Sequence, residues 1–221
     1  GQLWAGTREG ALWRLHAGHW SAQTNCSQAH AVTALVPEPS GALWLGTEGG
    51  GLYRFGQGSP LHLDKHSGLL SDLVRTLYQD GSGTLWIGTA GGGLSRWRQG
   101  RLATFTTHEG LPDNTISQIL EDDSGRLWLG SNRGLACVSK SELEQLAEGT
   151  IPAVYPQLYG RAEGMPEEQC TGGFCPAGLK AQSGRLWFST LRGVVVVDPR
   201  PQRTDAPAPT VLLEEVLVDG V

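Results

Sequence analysis

The chain has 221 residues, 22 acidic and 17 basic side chains for a net charge of −5, and a hydrophobic content of 39 %. That balance, with no long run of one sign, argues against nucleic acid or an anionic membrane as a partner, and no apolar stretch approaches the ~20 residues of a membrane span. The 32 glycines and 12 prolines beside so much hydrophobic sequence point to many short strands joined by tight turns and exclude disorder.

Taken in chain order, one phrase recurs five times: Gly-x-Leu-Trp-apolar-Gly-Thr, then a polar turn, then Gly-Leu. The copies begin at Gly1, Gly41, Gly83, Gly125 and Gly184 and place Trp4, Trp44, Trp86, Trp128 and Trp187 at spacings of 40, 42, 42 and 59 residues. A period of ~40 to 45 residues predicts an all-β propeller of four-stranded antiparallel blades. About five blade repeats are expected, near residues 1–30, 31–70, 71–112, 113–160 and 165–200, with consecutive four-stranded blades over 31–190. The first repeat opens at a second strand and lacks its innermost one.

The third repeat shows the period-two alternation of half-buried strands best. It predicts strands at Leu73 to Tyr78, Leu85 to Gly88, Leu94 to Trp97 and Leu102 to Thr107, with the Asp80-Gly81 turn and Gly91 to Gly93 as hairpin signals. The fourth repeat departs from the pattern. Ser139 to Leu146 reads as a short helix with Ser141 as N-cap, a surface decoration that accounts for the long spacing of 59. The recurrent Trp either packs between blades or stacks on a ligand; repetition in every blade selects packing, and the Gly after it lets blades approach closely.

Cys26, Cys137, Cys170 and Cys175 form no CxxC pair and have no His at metal-ligand spacing, so no metal site is expected. Cys170 and Cys175 suit a small-loop disulfide or, equally, two free thiols.

Residues 79–97 and 121–135 resemble the two-component regulator propeller repeat, whose phrase is Asp-Gly-x-Leu-Trp-Ile-Gly-Thr followed by Gly-Gly-Gly-Leu. The inter-blade phrase of that family is matched by Gly68-Leu69-Leu70-Ser71-Asp72 and Gly110-Leu111-Pro112-Asp113-Asn114. The stretch at 206–216 is similar to the linker and opening strand of the immunoglobulin-like triple-tyrosine domain that follows such propellers. The resemblance implies residues 1–200 as part of a propeller of seven blades and 201–221 as the start of that next domain. It also implies a periplasmic location, as the extracytoplasmic part of an inner-membrane receptor that carries a histidine kinase or diguanylate cyclase inside. Partners would then be the chain's own downstream immunoglobulin-like and signalling domains, with a homodimer also compatible.

No His-Glu-x-x-His, phosphate-cradling glycine loop or Gly-x-Ser-x-Gly elbow is present, so no catalytic residue is named and no cofactor is expected. A propeller gathers its fourth-to-first and second-to-third strand loops on one face. That maps Arg8, Glu48, His66, Asp72, His108, Asn114, Asn132, Arg133 and Arg192 together, with Glu9, Asp113 and Gln169 nearby. Charges of both signs there suit a small polar or saccharide-like ligand, although Asp and Asn in such loops also serve their own turns. The expected role is a ligand-sensing module without turnover of its own. The alternatives are a protein-docking propeller scaffold and a propeller lyase or hydrolase.

Overall fold

The computed structural model describes residues 3–23, 30–56 and 60–200, and the expected linker and domain start at 201–221 lie outside them. Five antiparallel sheets follow one another along the chain. Blade 1 consists of β1 (Leu3–Gly6), β2 (Leu12–His16) and β3 (His19–Gln23). Blade 2 has β4 (Val32–Pro37), β5 (Leu43–Thr47), β6 (Leu52–Phe55) and β7 (Leu61–Leu63). Blade 3 has β8 (Val74–Gln79), β9 (Leu85–Thr89), β10 (Leu94–Arg98) and β11 (Arg101–Phe105), within one or two residues of the strands expected from its alternation. Blade 4 has β12 (Ile116–Glu121), β13 (Arg126–Ser131), β14 (Gly134–Ser139) and β15 (Gln157–Tyr159). Blade 5 has β16 (Gly178–Lys180), β17 (Leu186–Thr190) and β18 (Gly193–Val197), so it shows three strands among the described residues instead of the four expected.

Alternation along the second strand of each blade glues the stack. In β9, Leu85 and Ile87 point back to the cluster shared with Trp44 of blade 2, whereas Trp86 points forward to blade 4, beside Ile116, Ile119 and Leu129. Trp128 likewise packs forward against Leu186 and Phe188 of blade 5. Trp44, Trp86 and Trp128 are thus 3, 0 and 2 % exposed, and Trp4 is half-buried. Trp187 departs from the expected burial: it is 41 % exposed, because among the described residues no sheet follows blade 5. It shares an open apolar face with its cross-strand neighbours Leu179 and Val196, both exposed. The expected close approach at the following Gly holds: a Cβ on Gly88 would lie 2.7 Å from the Ile116 carbonyl oxygen of the next blade.

In blades 2, 3 and 4 a carboxylate stands six residues before the Trp and holds the inner hairpin. Asp80 Oδ1 accepts from the Ser82 and Thr84 amides while Oδ2 accepts from the Trp86 indole at 3.3 Å, and Asp122 repeats this with Ser124, Arg126 and Trp128. In blade 2 the place is taken by Glu38, whose carboxylate meets Arg54 at 2.7 and 2.9 Å. Blade 5 has Ala181 there, in keeping with its exposed Trp.

The helix of the fourth repeat, α1, spans Lys140–Ala147, and its N-cap residue is Ser139 instead of Ser141. Nor is it a surface decoration. Leu143 is fully buried in the cluster between blades 3 and 4, Val154 beyond the helix joins it, and Glu144 binds both Arg96 and Arg98 of β10. The insertion therefore closes the outer end of that interface, where a helix face with its own apolar residues lowers free energy by burial.

Candidate functional site

The loop face is built from two alternating kinds of segment. In blades 2, 3 and 5 the second-to-third strand loop bonds back to the segment entering its own blade: Glu48 N–H to Ala31 O, Ala90 N–H to Leu73 O, Leu191 N–H to Gln169 O, at 2.9 to 3.1 Å. The loops of blades 2, 3 and 4 bond forward to the next blade, with Gly51, Gly93 and Gly134 N–H donating to Asp72, Asn114 and Glu168 O at 3.0, 2.7 and 3.1 Å. Gly93 has φ +76°, and a Cβ there would fall 2.1 Å from Phe105 O, so the hairpin closes only with glycine.

The connectors carry a 3-10 turn at Lys65–Ser67, Thr107–Glu109 and Arg161–Glu163, each ended by a left-handed glycine. Seven residues after the turn begins, a side chain reaches back to its first amide. Asp72 Oδ1 accepts from Lys65 N–H, Asn114 Oδ1 from Thr107 N–H and Glu168 Oε1 from Arg161 N–H, at 2.8 to 2.9 Å. Asp72 and Asn114 are therefore committed to their turns, as is Asp113, which accepts from the Thr115 and Asn132 amides.

Of the remaining residues expected on this face, Arg8, Glu48, Asn132 and Arg133 are exposed. Arg133 reaches Pro112 O at 3.4 Å, and Arg192 lies 3.6 Å from Glu167. His66 and His108 sit at matching places on successive turns with side chains 94 and 92 % exposed, against Asp64 at 3.3 Å and Glu109 at 2.9 Å. The Ser67 hydrogen bonds, aided by His66, hold the Asp64 carboxyl down at about 2. Glu109 is pushed up by burial but held below its ordinary value by hydrogen bonds from Thr106 and His108. None of the nine residues expected on this face lines the clefts found elsewhere on the molecule.

Those clefts lie at the rim and on the axis. One of about 640 Å³ runs along β18, between Trp128 and Tyr159 of blade 4 and Val195 to Arg200 of blade 5. Another of about 160 Å³ lies on the axial side, lined by Arg75, Gln118, Phe174 and Cys175 among others. Its wall comes from an irregularity that the repeat conceals. Each inner strand bulges at one place, at Thr33, Arg75 and Ser117. In blade 5, Cys170 pairs with Thr190 as Val74 pairs with Thr89, but the ladder resumes only at Gly178 opposite Phe188. Seven residues, 171–177, stand where blade 3 has Arg75 and Thr76. The spacing of 59 is thus shared between the helix and this axial loop. The signal was present, since Glu168 precedes Trp187 by 19 residues whereas Asn114 precedes Trp128 by 14. Cys170 and Cys175 are free thiols, the first buried and the second exposed.

A meander of three- and four-stranded antiparallel sheets, stacked through forward-pointing tryptophans around a common axis, defines a β-propeller. Residues 68–91 and 110–133 match the model of the two component regulator propeller family. Among solved structures it is similar to the extracellular domain assigned to the hybrid two component system BT3049 of B. thetaiotaomicron, with 20 % identity, TM-score 0.57, 90 % of this chain and 32 % of that one. It is also similar to the extracellular domain assigned to the one component system BT4673 of the same organism, with 19 % identity, TM-score 0.66, 90 % of this chain and 28 % of that one. Virginiamycin B lyase from Staphylococcus aureus shares the fold at 14 % identity and TM-score 0.62, over 91 % of this chain and 68 % of the enzyme. The chain spans about a third of the length of the two extracellular domains. No curated protein matches it at a significant level.

Proposed function

We propose that the chain is part of the extracytoplasmic, periplasm-facing sensory region of a two-component receptor, and that its loop face binds a small polar or saccharide-like ligand without turning it over. One observation carries the reading: the loops of that face are fixed through their main chains, by bonds back to their own blade or forward to the next, while Glu48, Asn132, Arg133 and Arg192 extend from them into solvent. Side chains displayed on a rigid backbone contribute affinity without the cost of ordering loops. The regulator propeller repeats and the likeness to extracellular domains of signalling systems support the assignment.

The open faces of blades 1 and 5 support a ring that continues beyond five blades, since Leu179, Trp187 and Val196 repeat the chemistry of the buried inter-blade faces. Residues 201–221 then lead into an immunoglobulin-like domain and the signalling domains, in a receptor that can pair with itself. Transmission requires the ligand to favour one arrangement of propeller against its neighbour, because equal affinity for both shifts nothing.

The test is calorimetry on the intact extracellular region against oligosaccharides and small metabolites, repeated with Glu48, Asn132, Arg133 and Arg192 each changed to Ala. Affinity should fall about tenfold or more for at least two of the four. Binding indifferent to all four removes the site from this face, and product formation overturns the non-enzymatic reading.

A further inference from the structure

The axial side carries a cation that neither the blades nor the loop face employ. Arg75 occupies the bulge of β8, where an extra residue re-aims a side chain off the ladder. The equivalent bulge residue Thr33 spends its hydroxyl on Val74 O at 2.7 Å, and Ser117 is buried. Arg75 instead projects to the inserted axial loop: Nη1 donates to Gly172 O at 3.3 Å, and Gly173 N–H returns a bond to Arg75 O at 3.2 Å. Two glycines are needed for that approach, since a Cβ on Gly173 would lie 2.8 Å from Arg75 Nη1 and one on Gly172 2.2 Å from Ser117 O.

What Arg75 lacks is an anion. Arg54, Arg96 and Arg126, which are also partly buried, each meet a carboxylate. Among the described residues Arg75 meets none, and its buried Nε has no hydrogen-bond partner. A guanidinium withdrawn from water without counter-charge costs free energy that a bound anion recovers. Beside it lies the cleft of about 160 Å³, walled by Ala34, Gln118, Phe174 and Cys175. Gln118 fixes the base of the loop through Nε2, which donates to Thr171 O and Ser189 Oγ at 2.5 and 2.7 Å. Phe174, half exposed, gives the cleft an aromatic wall. A cavity of roughly 150 Å³ holds one benzene-sized molecule, and the planar fork of a guanidinium matches a carboxylate better than any neutral group.

From this we infer that the propeller axis holds a second ligand site, separate from the loop face, in which Arg75 anchors a small carboxylate of about one ring's size against the wall formed by residues 171–177. Its occupant has an apolar or ring-shaped body facing Phe174 and Ala34 and its acid group on Arg75.

Cys175, exposed and lining the same cleft, reports on occupancy. The intact 221-residue chain is labelled with iodoacetamide in the presence of benzoate, benzamide or inorganic phosphate, and modification of Cys175 is followed by peptide mass spectrometry. Benzoate at about 10 mM should slow labelling several-fold, and benzamide, its uncharged analogue, should not. Arg75→Gln should weaken benzoate protection about 10- to 100-fold, the loss for a charge-assisted pair, protection being measured in each variant against its own labelling rate without benzoate. Arg75→Lys, which keeps the charge and loses the fork, should fall between, and it serves if the Gln variant does not fold. Equal protection by benzoate and benzamide, protection by phosphate as strong as by benzoate, or no protection by benzoate in the unmodified chain overturns the proposal. Substitutions at Glu48, Asn132, Arg133 and Arg192 should leave benzoate protection intact, so failure of the loop-face reading and failure of this one are told apart.

Discussion

Replacing Trp86 by Ala tests the stacking logic directly, with Trp187→Ala as its internal control. Trp86 is fully buried between blades 3 and 4, whereas Trp187 occupies the same place in the repeat but is 41 % exposed. A buried Trp removes ~150–250 Å² from water, which at ~25 cal/mol per Å² corresponds to ~4–6 kcal/mol as an upper bound, and measured truncations of large aromatics cluster at ~3–5 kcal/mol. Asp80 would lose the indole but keep Ser82, Thr84 and Lys140. The cost therefore stays that of a cavity and is not inflated by a stranded charge. Trp187→Ala forfeits a partial burial and no carboxylate bond, for about 1–2 kcal/mol. The assay is urea unfolding by far-UV circular dichroism, combined with hydrogen exchange. Because each sheet packs chiefly on its sequence neighbours, with the axial loop's bonds to Arg75 as an exception, lost protection should concentrate in β8 to β14. Equal costs for the two substitutions, or a cost below ~1 kcal/mol for Trp86, would refute the claim that forward-pointing tryptophans hold the blades together.

Acid stability should depend on Asp122, which burial pushes up but the Trp128 indole, the Arg126 and Ser124 amides and the Arg126 side chain together hold below 3.8. A depressed folded value means that its contribution is fully present above the unfolded value of about 3.9 and fades as pH falls through the folded one, so Asp122→Asn should flatten the loss of stability below about pH 4. Stability measured against pH in both proteins decides it. Gly93→Ala should cost more than ~2 kcal/mol because of its positive φ and the Phe105 carbonyl, whereas Gly91→Ala, with φ +82° but open space around it, should cost about 1–2 kcal/mol, both read by thermal unfolding. Burial pushes the Cys137 and Cys170 thiols up to about 11, so at neutral pH iodoacetamide should modify Cys175 well before either, and all three together only in denaturant.

Spacing and alternation announced the blades because both are set by main-chain geometry, which recurs. The strands of blade 3 and the burial of Trp44, Trp86 and Trp128 followed from the phrase itself. The exposure of Trp187 did not, since the phrase records what a Trp is suited to, and burial needs the neighbouring sheet. Asp80 reads as a turn residue and Asp122 carries no reading of its own; what escapes in both is that the carboxylate oxygen left over from the turn lands on an indole six residues away, a contact across the hairpin. On the loop face, Asp72 and Asn114 proved to be bound to their own turns, whereas Glu48, Asn132, Arg133 and Arg192 reach solvent. The axial loop was hidden because its extra residues merged with those of the helical insertion into a single long interval. Arg75 was hidden because one cation in an apolar strand carries no pattern.

The forward-pointing tryptophan also fixes the phase in which such a chain can be cut or multiplied. A blade as drawn by its hydrogen bonds runs from inner to outer strand, but its Trp is covered by the sheet that follows, and its loop glycine is bonded to the connector beyond. The unit with matching ends is therefore any window that starts and stops at equivalent positions, such as the 42-residue step from Trp44 to Trp86, wherever it is placed in the blade. Gene rearrangements that add or remove whole periods leave every joint between sheets of the same kind, indole against aliphatic. Those that join non-equivalent positions leave an indole facing water, and a ring lengthens or shortens only by whole blades, whatever insertions a blade carries.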